Sequence, residues 1–270
     1  MEQQITKDIG LKRLIKKAIF TTAQNNLGWL LLKASFIRVA DYAKWAHNLV
    51  VRHGPFKGMK YLDAKSYGSV LSPKLIGSYE REIQCIVEEA CKQEYTEVVN
   101  IGCGEGYYAI GFAMRIPKAK IYAYDTDQEA VRFCQKMAKL NNVGQRVIVS
   151  SFCSSETIQS IPFRGKGLII SDCEGYEMSL FSEKIIPTLA RHDLLIELHD
   201  FIDKNISSII RKRFERTHEI VVIESIDDIK KAQTYHYEEL KDYSLQVRKQ
   251  LLGERRPSIM QWFYIKSRKN

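Results

Sequence analysis

The chain of 270 residues is long enough to bury a sizeable core, as one large domain or as one domain with an extension. An apolar fraction of 45% and a charged fraction of 27% are those of a folded globular protein and exclude a disordered chain. The net charge of +9 is concentrated in residues 1–60, which carry eleven Lys/Arg against three Asp/Glu. That balance suits an anionic partner (nucleic acid, a membrane surface, an acidic substrate) or a solvated helical face.

Residues 7–20 and 27–51 read as helices. In the second, Trp29, Leu32, Phe36, Val39, Ala43 and Ala46 recur at helical spacing, which predicts a packing face, with a partner helix or peripheral membrane contact as the other reading. Lys33, Arg38, Asp41 and Lys44 interrupt the run, so no transmembrane segment is expected there. His53 to Met59 is a break containing glycines and a proline. A helix is predicted from Ser78 as N-cap, with Glu80 and Glu82 in its first turn, to about Lys92.

From Glu97 strands and helices alternate. Val98-Val99-Asn100-Ile101 is a short apolar strand, followed by Gly102-Cys103-Gly104-Glu105-Gly106 and a helical run from Tyr107. Lys120 to Asp125 is the second strand, and Thr126 or Asp127 can cap a helix that ends at Asn141-Asn142-Val143-Gly144. Further strands are expected at Arg146–Ser150, Gly167–Asp172, Leu194–His199 and Ile220–Glu224, with helices at Tyr176–Phe181 and over 205–216. Residues 227–253 are polar and aromatic and show no clear element. Ser258 to Ile265 is a last strand, expected to run antiparallel. The alternation predicts an α/β protein with a doubly wound, Rossmann-like sheet of seven strands. The domains expected are a helical N-terminal extension over 1–75 and the sheet domain over 76–270.

In such a sheet, ligands bind beyond the carboxyl ends of the strands, near the switch in strand order. That rule gathers Gly102 to Gly106, Asp125, Ser151, Phe152, Asp172 and His199 around one crevice. Glycines there permit a tight turn and a close ligand approach. Asp125 is suited to a ribose diol or to capping the next helix. Side chains alternate along a strand, so Glu197 and His199 share a face, and Asp172 and Glu174 follow the neighbouring strand. Three carboxylates and a histidine in one crevice can deprotonate a hydroxyl, with His199 or Asp172 as base, or hold a divalent cation. They can also simply cap the helix from Tyr176.

The spacing Gly102-x-Gly104-x-Gly106, with tyrosine at 107, departs from the dinucleotide pattern G-x-G-x-x-G. It resembles the nucleoside-binding loop of class I S-adenosylmethionine-dependent methyltransferases, and the likeness covers the strands of residues 70–270. The position two before Gly102, usually acidic in that family, is Asn100, which can still bond an ammonium or orient the loop. Asp172-Cys173-Glu174-Gly175-Tyr176-Glu177 and Ile196-Glu197-Leu198-His199 resemble the D-x-E-G-x-E and I-E-x-H elements of FkbM-family methyltransferases, and the helix start Gly77-Ser78-Tyr79-Glu80 is similar as well. Cys103 and Gly104 stand in place of an Ala-Asn pair and mark the chain as divergent.

The resemblance implies S-adenosyl-L-methionine as cofactor, bound by Tyr79, Glu80, Asn100, Gly102, Cys103, Gly104, Gly106, Asp125, Thr126, Ser151, Phe152 and Asp172. It also implies catalysis by Asp172, Glu174 and His199, with O-methylation of a small molecule or a saccharide intermediate. An RNA methyltransferase using the basic residues 1–60, a non-catalytic cofactor- or partner-binding module, and an NAD-dependent oxidoreductase are the alternatives. No N-P-P-Y/F or Pro-Cys follows the fourth strand, which argues against amino methylation of adenine or glutamine and against a cysteine-nucleophile mechanism on cytosine C5. Six cysteines without a CxxC pair point to reduced thiols, and Met1-Glu2-Gln3-Gln4 lacks the basic start of a secretory leader, so a cytoplasmic protein is expected.

Overall fold

The computed structural model describes residues 48–268. The helices expected over 7–20 and over most of 27–51 lie outside them. Residues 48–51, the expected end of the second helix, are not helical: Val50 forms an isolated antiparallel bridge with Lys60. From Leu49 onward the chain forms one compact unit, so residues 49–75 are grouped with the sheet.

Seven strands form a single sheet: β1 (Glu97–Ile101), β2 (Lys120–Tyr124), β3 (Val147–Ser150), β4 (Gly167–Ser171), β5 (Asp193–Leu198), β6 (His218–Glu224) and β7 (Gln261–Ser267). Their order is β3-β2-β1-β4-β5-β7-β6. The first five pair in parallel, and β7 runs antiparallel between β5 and β6. This is the mixed sheet of the Rossmann-like methyltransferase fold, with the order reversing between β1 and β4. Every residue of β1, β4 and β5 is buried; β4 is apolar up to Ser171, while β1 and β5 also bury Glu97, Asn100, Asp193 and Glu197.

The helix expected from Ser78 to Lys92 starts later, at Gln84, and is preceded by a separate helix that the sequence reading did not include. α1 (Leu71–Ile76) stops at Gly77, whose φ of +87° closes the helix with backbone bonds to Pro73 and Lys74. A Cβ at Gly77 would lie 2.0 Å from the His53 carbonyl oxygen, so only glycine fits. Ser78 caps nothing; its hydroxyl donates to the Pro73 carbonyl. A 3₁₀ turn (Arg81–Ile83) then leads into α2 (Gln84–Cys91).

α3 (Tyr107–Arg115) follows the glycine loop, and α4 (Gln128–Leu140) is capped by Asp127, which accepts from the Glu129 amide at 2.7 Å. α5 (Ser155–Ser160) was not apparent in the sequence, although Ser154 and Thr157 close a capping box around it. The expected helix at Tyr176–Phe181 is a single turn, α6 (Glu177–Leu180), followed by α7 (Ile186–Leu189). After α8 (Ile206–Phe214), the unassigned polar stretch forms α9 (Asp228–Thr234) and α10 (Leu245–Leu252). One face of the sheet packs on Leu180, Phe181, Ile210 and Phe214, which anchors α6 and α8 beneath the ends of β4 and β5. The six cysteines are free thiols.

Candidate functional site

A cavity of about 390 Å³ opens beyond the carboxyl ends of β1, β2 and β4. The strand order reverses between β1 and β4, and the crevice lies at that switch. Every residue read from the sequence as cofactor-binding lines it, apart from Glu80 and Gly106.

The loop after β1 carries the turn. Gly102 has φ +74°, and a Cβ there would lie 1.7 Å from the Asp172 carbonyl oxygen, so the loops after β1 and β4 touch backbone to backbone. The Gly102 and Cys103 amides both donate to the Tyr124 carbonyl at 2.9 Å. Asp125 accepts from the Gly104 amide at 2.7 Å and from the Asp127 amide at 2.9 Å. It therefore braces the loop and is not the helix cap, a role taken by Asp127. Each carboxylate oxygen keeps lone-pair capacity for a ligand diol. At the cavity floor Asn100 is 1% exposed, and its side-chain oxygen is buried with no hydrogen-bond partner. Unmade acceptors of this kind cost about 1–3 kcal/mol, so the position is suited to a cationic or N–H donor from a ligand.

Two groups in this region escaped the sequence reading. Glu105, the residue between the second and third glycines, is fully buried and collects four donors: Lys74 Nζ at 2.5 Å, the Tyr67 amide at 2.9 Å, Ser66 Oγ at 3.0 Å and the Tyr61 hydroxyl at 3.1 Å. One carboxylate thereby ties residues 61–74 across the glycine loop, and Tyr67, Gly68 and Ser69 form one wall of the cavity. The second group is Arg256, from the stretch before β7, which pairs with Glu80 at 2.8 Å, with Glu254 at 3.0 Å and with Glu197. Glu80 also accepts from the Tyr108 hydroxyl; burial raises its pKa against the opposing charge of Arg256. Glu80 belongs to this ion network, and Gly106 faces Cys134 and Ile110.

A smaller cavity of about 100 Å³ adjoins the first and shares Tyr79, Asp172 and Glu174 with it. Glu197, His199, Phe201, Glu254 and Arg256 line the rest. Here the three residues read as catalytic come together. His199 Nε2 lies 3.4 Å from Asp172 Oδ1 and 3.5 Å from Glu174 Oε2. Its Nδ1 is 2.6 Å from Glu177 Oε1, a fully buried carboxylate that also accepts from the Gly175 amide. Burial works against the imidazolium, but the nearby Asp172 carboxylate and the Glu177 carboxylate that accepts from Nδ1 prevail and push the His199 pKa up to about 10. At neutral pH, with nothing else bound, His199 is a cation and cannot take a proton. The capping alternative is also absent: α6 has no side-chain cap, and neither Asp172 nor Glu174 bonds to its amides. Glu174, at φ +51°, has its pKa raised by burial and by the charge of Asp172. Ligand atoms from Asp172, Glu174 and His199 all lie within 4.8 Å of one another, close enough for one ion.

Residues 83–162 match the methyltransferase small domain family. That segment holds the glycine loop and β1 to β3. No curated protein matches the chain. Among solved structures, precorrin-6Y C5,15-methyltransferase from Geobacter metallireducens is 12% identical, with a TM-score of 0.45 over 69% of this chain and 87% of its own. A SAM-dependent O-methyltransferase from Thermotoga maritima is 13% identical, with a TM-score of 0.44 over 71% of this chain and 66% of its own. TrmN from Thermus thermophilus is 11% identical, with a TM-score of 0.46 over 72% of this chain and 48% of its own. Among the described residues, no helix is long and apolar enough to cross a membrane.

Proposed function

We propose that the protein is an S-adenosyl-L-methionine-dependent methyltransferase that methylates a hydroxyl of a small molecule or a saccharide. The observation that carries this reading is Asn100. It offers a buried, unpartnered acceptor at the floor of a cavity edged by the glycine turn and Asp125. An amino-acid ammonium at Asn100 and a ribose diol at Asp125 would satisfy both ends, and the methyltransferase family match over residues 83–162 supports the assignment. The bound cofactor supplies an electrophilic methyl group on a sulfonium.

The protein's own contribution is alignment and proton removal. Asp172 and Glu174 line both cavities and so stand at the junction between donor and acceptor. With the methyl donor bound, Glu174 would be placed to take the proton of an acceptor hydroxyl as its oxygen receives the methyl group. A positioned base of this kind contributes about 10²–10⁴-fold. His199, locked by Glu177, holds the two carboxylates apart and in place. The test is transfer of tritium from methyl-labelled cofactor to a panel of hydroxylated small molecules and glycosides, with RNA as a separate arm. Label in a hydroxylated acceptor supports the proposal. Label in RNA alone replaces it with the RNA reading, and cofactor binding with no transfer to any acceptor favours a binding module.

A further inference from the structure

We propose that Asp172, Glu174 and His199 form a binding site for a divalent cation on the acceptor side of the cavity. The cation's role in the reaction rests on the methyl-transfer reading; its binding does not. The first argument is spacing. The contacts from His199 Nε2, at 3.4 and 3.5 Å, are too long for charge-assisted hydrogen bonds, which close to about 2.7–2.9 Å. Two donors on one ion at about 2.2 Å, with an angle near 100° between them, lie about 3.4 Å apart. The two carboxylates thus stand from His199 at the spacing of ligands on one ion, and all three ligand atoms lie within 4.8 Å of one another.

The second argument is orientation. Asp172 Oδ1, which faces Nε2, is a buried oxygen with no hydrogen-bond partner on a side chain that is 31% exposed. His199 is 2% exposed and has committed Nδ1 to Glu177, which fixes the ring and turns Nε2 toward the two carboxylates. A metal-bound histidine is characteristically held in this way, by a carboxylate on its other nitrogen. The third argument is charge. Asp172, Glu174 and Glu177 place three carboxyl groups around one imidazole, an arrangement a divalent ion would balance. Two oxygens and one imidazole nitrogen, with no thiolate, suit Mn²⁺ or Mg²⁺ better than a soft ion. The Glu174 side chain is 70% exposed, which leaves the remaining coordination positions open to water and an acceptor hydroxyl. A cation there would lower the hydroxyl pKa and orient it toward the first cavity.

The test uses the full chain, stripped with EDTA and titrated with MnCl₂, with free Mn²⁺ followed by electron paramagnetic resonance. One Mn²⁺ per chain is expected, displaced by excess Mg²⁺. Glu174→Gln and His199→Gln should each weaken binding at least tenfold, and Glu177→Gln, which touches the ion only through His199, by about 10- to 100-fold. Unfolding curves verify that each variant is folded. No Mn²⁺ bound to the folded protein, or binding unchanged in both Glu174→Gln and His199→Gln, overturns the site. S-adenosylhomocysteine titrated in parallel separates the two readings. Its binding without Mn²⁺ removes only the cation site, and Mn²⁺ binding without it removes only the methyl-transfer role.

Discussion

Replacing Lys74 by methionine removes the cation from the Glu105 cluster while keeping most of the side-chain volume. Lys74 is 5% exposed on its side chain and Glu105 not at all, and the pair is 2.5 Å apart. Removing one partner of such a pair leaves a buried charge uncompensated, which costs about 3–5 kcal/mol. Here the Tyr61 hydroxyl, Ser66 Oγ and the Tyr67 amide still donate to the carboxylate, so the lower end, about 3 kcal/mol, is expected. For a domain of this size that loss lowers Tm by about 6–12 °C. Lys74→Met with Glu105→Gln removes both charges but keeps an acceptor for the three donors, and should be more stable than Lys74→Met alone. Urea unfolding of the wild type, both single variants and the double variant closes the cycle. A cost below about 1 kcal/mol for Lys74→Met, the value of an exposed pair, would refute the view that one buried carboxylate fastens residues 61–74 over the glycine loop.

Three other substitutions or conditions probe the site. Gly102→Ala places a Cβ against the Asp172 carbonyl at a positive φ, so it should both destabilise the fold and abolish S-adenosylhomocysteine binding. Gly104→Ala, whose nearest neighbour is the Tyr67 carbonyl oxygen at 3.3 Å, should be markedly milder; calorimetry and thermal melts would distinguish them. Asn100→Leu removes the acceptor from the cavity floor. S-adenosylhomocysteine affinity should fall about tenfold or more, the value of a hydrogen bond to a charged group, and an unchanged dissociation constant would count against Asn100 as the ammonium partner. His199 titrates near 10 in the folded chain against about 6.5 unfolded. Its folded pKa is raised, so its contribution is fully present below about pH 6.5 and is lost as pH rises toward 10. Urea unfolding at pH 6 to 10 in EDTA should show that decline, and His199→Gln should flatten it.

Most of the sheet was legible in the sequence because its central strands are buried and carry short apolar runs, Val98-Val99, Leu168-Ile169-Ile170 and Leu194-Leu195-Ile196. The antiparallel β7 followed from two late strands with no clear helix between them. The glycine loop, Asp125, and the Asp172–Glu174–His199 trio were legible because each sits at a strand end, where the fold concentrates ligand contacts. What was not legible depends on partners distant in sequence. Glu105 is an unremarkable loop residue until Lys74, thirty-one positions earlier, is folded onto it. Arg256 comes from a polar stretch with no periodicity, and its carboxylates at Glu80 and Glu197 are 176 and 59 positions away. Glu177 was visible as the last letter of a motif, but its role depends on the ring of His199 turning Nδ1 toward it. The helix ending at Gly77 and the late start of α2 were missed because Ser78 and the acids after it imitate a helix start, while the close approach of His53 that requires glycine at 77 leaves no local mark.

Titration calorimetry of S-adenosylhomocysteine into the full chain, with NADH as the comparison ligand, tests the central claim most directly. One molecule of S-adenosylhomocysteine should bind per chain, more weakly in Asn100→Leu, with no heat from NADH. Binding of NADH in place of S-adenosylhomocysteine, or of neither, would contradict the assignment of this cavity to a methyl donor.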